Sequence, residues 1–147
     1  MKKKMVFAFI AIFACLLLTG CGSKTYGLNE KATSKSDNIS ITVLGVEDVT
    51  INEGELSLSN GDYTKVKLTI ENTGSDAYTW TSLNFMLGEK SESFTALTQS
   101  DYLPTTVEAG QSITGYIYFD KTDAKEFKFI SYSLTSGSQE IITFNLK

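Results

Sequence analysis

A chain of 147 residues with 13 lysines, 17 carboxylates and a formal net charge of −4 contains neither histidine nor arginine. That removes the usual zinc ligand, the usual general base and the bidentate clamp for phosphate or carboxylate. The acidic balance also repels a phosphate backbone, so no nucleic-acid partner is expected.

Residues 1–20 have the three parts of a signal peptide. Lys2, Lys3 and Lys4 make a basic start, Met5–Leu18 is unbroken apolar sequence, and small residues follow. At 1.5 Å per residue the apolar run covers about 21 Å, short of a ~30 Å hydrocarbon core, so a spanning helix is the weaker reading. Leu18-Thr19-Gly20-Cys21 resembles the lipobox of bacterial lipoproteins. The resemblance implies cleavage before Cys21, a diacylglycerol on its sulfur, and attachment to the extracellular face of the cytoplasmic membrane. Two acyl chains give stable anchoring where one gives only marginal binding. Cys15 would leave with the signal and Cys21 would be spent on lipid, so no disulfide framework remains. Removing Lys2–Lys4 leaves ten lysines against 17 carboxylates, a net charge of −7. That charge offers no basic patch to anionic lipid, so the lipid on Cys21 must do the anchoring.

Gly22–Asn38 is polar, with Tyr26 and Leu28 as its only sizeable apolar side chains. Residues 21–38 therefore read as a flexible linker of roughly 20–25 Å mean span. One domain of ordinary size is expected over 39–147.

Within that domain the period is two. Val66, Leu68 and Ile70 alternate with Lys65, Lys67, Thr69 and Glu71, as in a half-buried strand. Ile113, Gly115, Ile117 and Phe119 share one face, and Thr114, Tyr116 and Tyr118 the other. Ile142, Phe144 and Leu146 repeat the pattern. Further strands are expected over Ile39–Val46, Val49–Leu58, Leu83–Leu87, Ser91–Leu97 and Phe127–Leu134, from their β-branched and aromatic content. Asn60-Gly61-Asp62 is expected to supply positive φ between two of them. Only Gln99–Leu103 and Thr122–Glu126 could hold a helical turn. Seven or eight short strands with frequent turns predict an all-β sandwich, with a barrel as the alternative.

The run from Tyr63 to Glu71-Asn72-Thr73-Gly74, then Phe85-Met86-Leu87, then Ala109-Gly110 followed by Gly115 and Phe119, resembles a known family. It is similar to the immunoglobulin-like lipoprotein domains called domain of unknown function 4352, over about Ile39 to Leu146. The resemblance implies an immunoglobulin-like sandwich close to that of a secreted mycobacterial antigen, and no catalytic residues. Asn72, Gly74, Gly110 and Gly115 would then be turn and packing residues. The family usually has proline where this chain has Ala109.

Candidate chemistry is sparse, and no cofactor is expected. Ser36-Asp37-Asn38 spells one element of the serine β-lactamase set, but its companion motifs are missing. Glu53 and Glu55, with Glu47-Asp48 before them, fit a solvated strand better than a glycosidase pair. Asp120, Asp123 and Glu126, or Asn60 and Asp62, are weak calcium candidates without EF-hand spacing. The aromatic residues carry the best binding signal. Tyr116 and Tyr118 fall on the outer face of their strand, and Tyr78, Trp80 and Tyr102 sit in or beside loops, where such rings stack on sugars or anchor protein interfaces. The sequence thus predicts a membrane-anchored, non-catalytic module that contacts a protein or cell-wall polymer. A small-ligand or calcium-binding surface lipoprotein is the alternative.

Overall fold

The computed structural model describes residues 24–52, 54, 56, 58–89, 92–97, 103–120, 128–132 and 140–147. The signal segment with Leu18–Cys21, together with Glu53, Glu55, Tyr102, Asp123 and Glu126, lies outside them. No helix among the described residues is long and apolar enough to cross a membrane.

The described residues form eleven strands: β1 (Thr25–Tyr26), β2 (Lys31–Ser34), β3 (Ile39–Ile51), β4 (Gly61–Asn72), β5 (Tyr78–Thr79), β6 (Phe85–Glu89), β7 (Glu92–Thr95), β8 (Thr106–Val107), β9 (Ser112–Phe119), β10 (Lys128–Tyr132) and β11 (Ile141–Asn145). One sheet runs β1-β11-β10-β6-β7 and the other β2-β3-β4-β9, while β5 and β8 make a small ribbon. All pairings are antiparallel except β1 with β11. The expected all-β sandwich is what the chain forms.

Inward side chains of both sheets make one core. Ile41, Val43, Val66, Leu68, Ile70, Ile117 and Phe119 come from one layer, and Phe85, Leu87, Phe129, Ile142 and Phe144 from the other. Phe129 is the hub. Its ring stacks on Phe85 at 5.6 Å between centroids and meets Phe119 edge-on at 6.2 Å across the layers. Phe144 lies 6.0 Å away on the neighbouring strand. Burying each such side chain is worth about 1.5–3 kcal/mol, and none of the described residues is a cysteine.

Three expectations are corrected here. The linker over 21–38 is not flexible where it is described. Thr25–Tyr26 adds to β11, and Lys31–Ser34 pairs with Ile39–Thr42. Ala32 is fully buried, and Tyr26 and Leu28 pack against the core. Each short strand completes a sheet edge whose hydrogen-bonding groups would otherwise be unpaired.

Second, Ile39–Val46 and Val49 onward are one strand, not two. A bulge inserts Leu44 between Val43, opposite Leu68, and Gly45, opposite Lys67. One extra residue inverts the alternation. Before the bulge odd-numbered Ile39, Ile41 and Val43 face the core; after it Val49 and Ile51 face outward, against Tyr63 and Tyr118.

Third, positive φ does not occur at Asn60 or Gly61, which leads directly into β4. Outside glycine, among the described residues, it falls at Asn29 and Asn38, and Asn38 closes the turn between β2 and β3. Asparagine tolerates that region because its short amide can bond locally.

Candidate functional site

The Glu71-Asn72-Thr73-Gly74 segment is a structural clasp. Asn72 is buried, and its amide donates to the carbonyls of Asp76 (2.7 Å) and Val107 (2.9 Å). Its side-chain oxygen accepts from the Gly74 amide at 2.9 Å. Thr73 donates its amide and its hydroxyl to the Asn38 carbonyl. A Cβ on Gly74 would sit 3.1 Å from Asn38 Cβ and 3.2 Å from Asn72 Oδ1, so this crossing admits only glycine without displacement. Gly110, at φ 70°, turns the chain back so that its amide reaches the Asn72 carbonyl.

Beside the clasp lies a cleft of about 490 Å³, lined by Ser36, Asp37, Asn38, Tyr78, Thr81 and Asn84 among others. Thr81 and Asn84 form a reciprocal cap on the short 3-10 turn Ser82–Asn84, which fixes that wall. The Tyr78 hydroxyl is buried without a hydrogen-bond partner, alone in this among the described side chains. Burial first, and the Asp37 charge second, push its pKa up, so it stays protonated.

A second concavity, of about 340 Å³, opens on the outer face of the β2-β3-β4-β9 sheet. Its floor exists because Gly45, beside the bulge, has no side chain; a Cβ there would meet nothing within 4 Å. Glu47, Lys65, Lys67 and Tyr116 surround it. The Lys65 ammonium pairs with Glu47 and lies 4.7 Å from the Tyr116 ring centroid, and that of Lys67 lies 5.9 Å from it. The Glu47 hydrogen bond raises the Lys65 pKa against the opposing effect of burial, so the cation persists. Lys67 is exposed, and no carboxylate among the described residues pairs with it. The wall therefore offers a cation and a half-exposed aromatic face.

The aromatic candidates thus separate. Tyr116 lines the sheet-face hollow and Tyr78 the end cleft. Tyr118 is buried: it faces outward as its alternation requires, but Leu56 and Leu58 from the segment after β3 fold over it with Ile51 and Tyr63. Trp80 is also buried, donating Nε1–H to the Pro104 carbonyl at 2.7 Å and meeting Phe85 edge-on. Both are packing residues, so a Tyr116/Tyr118 pair is not a binding surface. Tyr102 lies outside the described residues. Asp120 is exposed at the end of β9, while Asp123 and Glu126 are not described. Among the described residues no group of three potential ligands could hold a metal ion. The residue that sequence reading missed is Gly45: nothing local marks it as the floor of a hollow until the bulge places it opposite Lys67, which is itself opposite Tyr116 on β9.

The family model for a domain of unknown function, DUF4352, matches residues 26–141. No curated protein sequence matches the chain. Among solved structures, the yjhA protein of Bacillus subtilis superposes with a TM-score of 0.62 at 16% identity, covering 84% of this chain and 100% of that one. The secreted protein MPT63 of Mycobacterium tuberculosis gives 0.58 at 15% identity, covering 84% and 98%. A candidate lipoprotein of Bacillus subtilis, ycdA, gives 0.55 at 21% identity, covering 78% of this chain and 37% of that one. At these identities the likeness speaks for the fold alone.

Proposed function

The chain belongs to the DUF4352 family, a domain of unknown function, and from that premise we propose that it is a lipid-anchored extracellular binding module with no catalytic reaction of its own. Cys21 carries the acyl chains and the sandwich presents its contact surface to a protein or polymer of the cell envelope. The observation that carries the contact surface is the Gly45 hollow, where the Tyr116 ring lies beside the Lys67 cation on an otherwise hydrogen-bonded sheet face. A ring face with an adjacent cation suits an acidic glycan or an acidic protein segment. The missing histidine, arginine and disulfide, and the basic start and Leu18–Cys21 sequence, support the remainder of the reading.

The test is co-sedimentation of the protein with purified cell-wall sacculi and, separately, with an acidic envelope-protein fraction. Wild type pellets with one of them, and a Tyr116→Ala/Lys67→Ala variant with an unchanged melting temperature stays in solution. Equal pelleting of both proteins removes this face from the reading. Attachment is tested independently by mass spectrometry of membrane-extracted protein. Acylation on Cys21, lost in Cys21→Ser, is the expected result.

One observation favours a second reading, a small-ligand binder using the end cleft: the buried Tyr78 hydroxyl has a free donor there. Calorimetry with soluble wall fragments would give heat that Tyr78→Phe abolishes. Calcium, titrated in parallel, would shift the melting temperature if acidic loops held it.

A further inference from the structure

The place where the anchor meets the fold sets how the domain sits on its membrane, an inference that rests on the acylation of Cys21 proposed above. β1 begins at Thr25, and Thr25 lies opposite Thr143 in a parallel pair. Going back from Thr25, the chain runs toward the end of the sheet at which β11 starts with Ile141. From Cys21 to Thr25 are four residue steps, about 14 Å even when fully extended. About 7 Å of that only reaches the level of Ile141, two residues before Thr143. An anchor at Cys21 would therefore be tied to this end by a length of chain that, past the level of Ile141, leaves no more than about 7 Å of reach.

The same end carries the two exposed large apolar side chains of the described residues. Ile141 is 52% exposed and Leu83 59%. Phe85 is opposite Ser131 and Ser131 opposite Ile142, so the 3-10 turn holding Leu83 lies at the level of Ile141, two strands across. That spacing is about 10 Å. Both residues cost solvation where they stand. Among the described residues at this end, Lys24 and Lys35 stand against Asp37, Asp76, Glu108 and Glu140, a rim with no cationic excess, so attraction to anionic headgroups does not explain the pair.

We infer that Leu83 and Ile141 form a membrane-docking end, which rests in the interfacial layer of the bilayer beside the acyl chains of Cys21. The domain then lies against the lipid instead of standing off on a tether. Tyr116 sits four residues up β9 from Ser112, about 13 Å from this end, and faces sideways, clear of the surface.

The acylated full-length protein is reconstituted in phosphatidylglycerol/phosphatidylethanolamine vesicles with single reporters at Leu83→Cys, Ile141→Cys, Lys67→Cys or Lys128→Cys, each carrying an environment-sensitive dye. Spin-labelled lipids act as quenchers. Dyes at 83 and 141 are expected to shift to the blue and to be quenched severalfold more than those at 67 and 128. Solvent-like emission at all four positions, on protein whose mass shows acylated Cys21, overturns the docking while leaving the anchor intact. Protein extracted from cells without acyl chains on Cys21 overturns the anchor and the docking together. A Leu83→Glu/Ile141→Glu variant reporting from Lys24→Cys is expected to lose the quenching; retained quenching again counts against the docking.

Discussion

Asn72 settles three backbone groups at once, and its removal leaves the buried Val107 carbonyl and the more exposed Asp76 carbonyl without their donor. Asn72→Ala should lose about 2–3 kcal/mol, read as a lower urea midpoint at unchanged slope. The Glu-Asn-Thr-Gly segment is legible in sequence as a turn. Its reach to Val107, 35 residues on, is not, because that contact exists only once β8 has folded beside it. Glu140 shows the same non-local dependence. Burial works to raise its pKa, but hydrogen bonds from the Ser36 amide and the Ser34 hydroxyl outweigh it and lower the value below the ordinary carboxyl range. A depressed carboxyl pKa adds stability that is present above the unfolded value and lost as pH falls through the folded one. Wild type should therefore melt above Glu140→Gln at neutral pH. The gap should close when both are melted below the folded pKa.

At the scale of elements, the polar segment before Ile39 is the clearest departure from sequence reading. Lys31-Ala32-Thr33-Ser34 has too little apolar content to announce a strand, yet the edge of β3 supplies its hydrogen bonds and Ala32 fits the core. A chain starting at Asn38 should lose several degrees of melting temperature and cooperativity by calorimetry, whereas a true tether would be removed without effect. The Leu44 bulge was equally hidden, since alternation in Ile39–Val43 and again in Val49–Ile51 reads as two strands with acidic residues between. Deleting Leu44 would remove the extra residue and leave Val43 opposite Leu68 and Gly45 opposite Lys67 in a regular ladder, with Val49 and Ile51 still outward. The deletion variant should keep a cooperative fold, as followed by near-ultraviolet circular dichroism, whereas deleting Glu47, which would shift Val49 and Ile51 to the inner face, should not. The long alternating runs, Val66–Ile70 and Ile113–Phe119, were legible because one face of each is buried, in part at Ile113, and burial is what imposes period two.

Over the whole molecule, the sandwich follows from those runs and from a phenylalanine hub that joins both layers. Phe129→Ala should cost about 3–5 kcal/mol, measured by denaturant unfolding. The candidate site was half legible. Tyr116 was visible as an outward aromatic, but the same parity put Tyr118 forward, and only the fold shows Leu56 and Leu58 covering it. Alternation assigns a side chain to a face; it does not tell whether a loop lies over that face. On the docking proposed above, the hollow at Gly45, Lys67 and Tyr116 would be turned toward the surrounding envelope.

A photoreactive residue placed at position 67 in the full-length protein, irradiated on intact cells, tests that contact surface directly, with position 128 on the outer face of the opposite sheet as the control. Adducts at 67 with none at 128 are the predicted result. Adducts confined to 128, or equal at both positions, would contradict it.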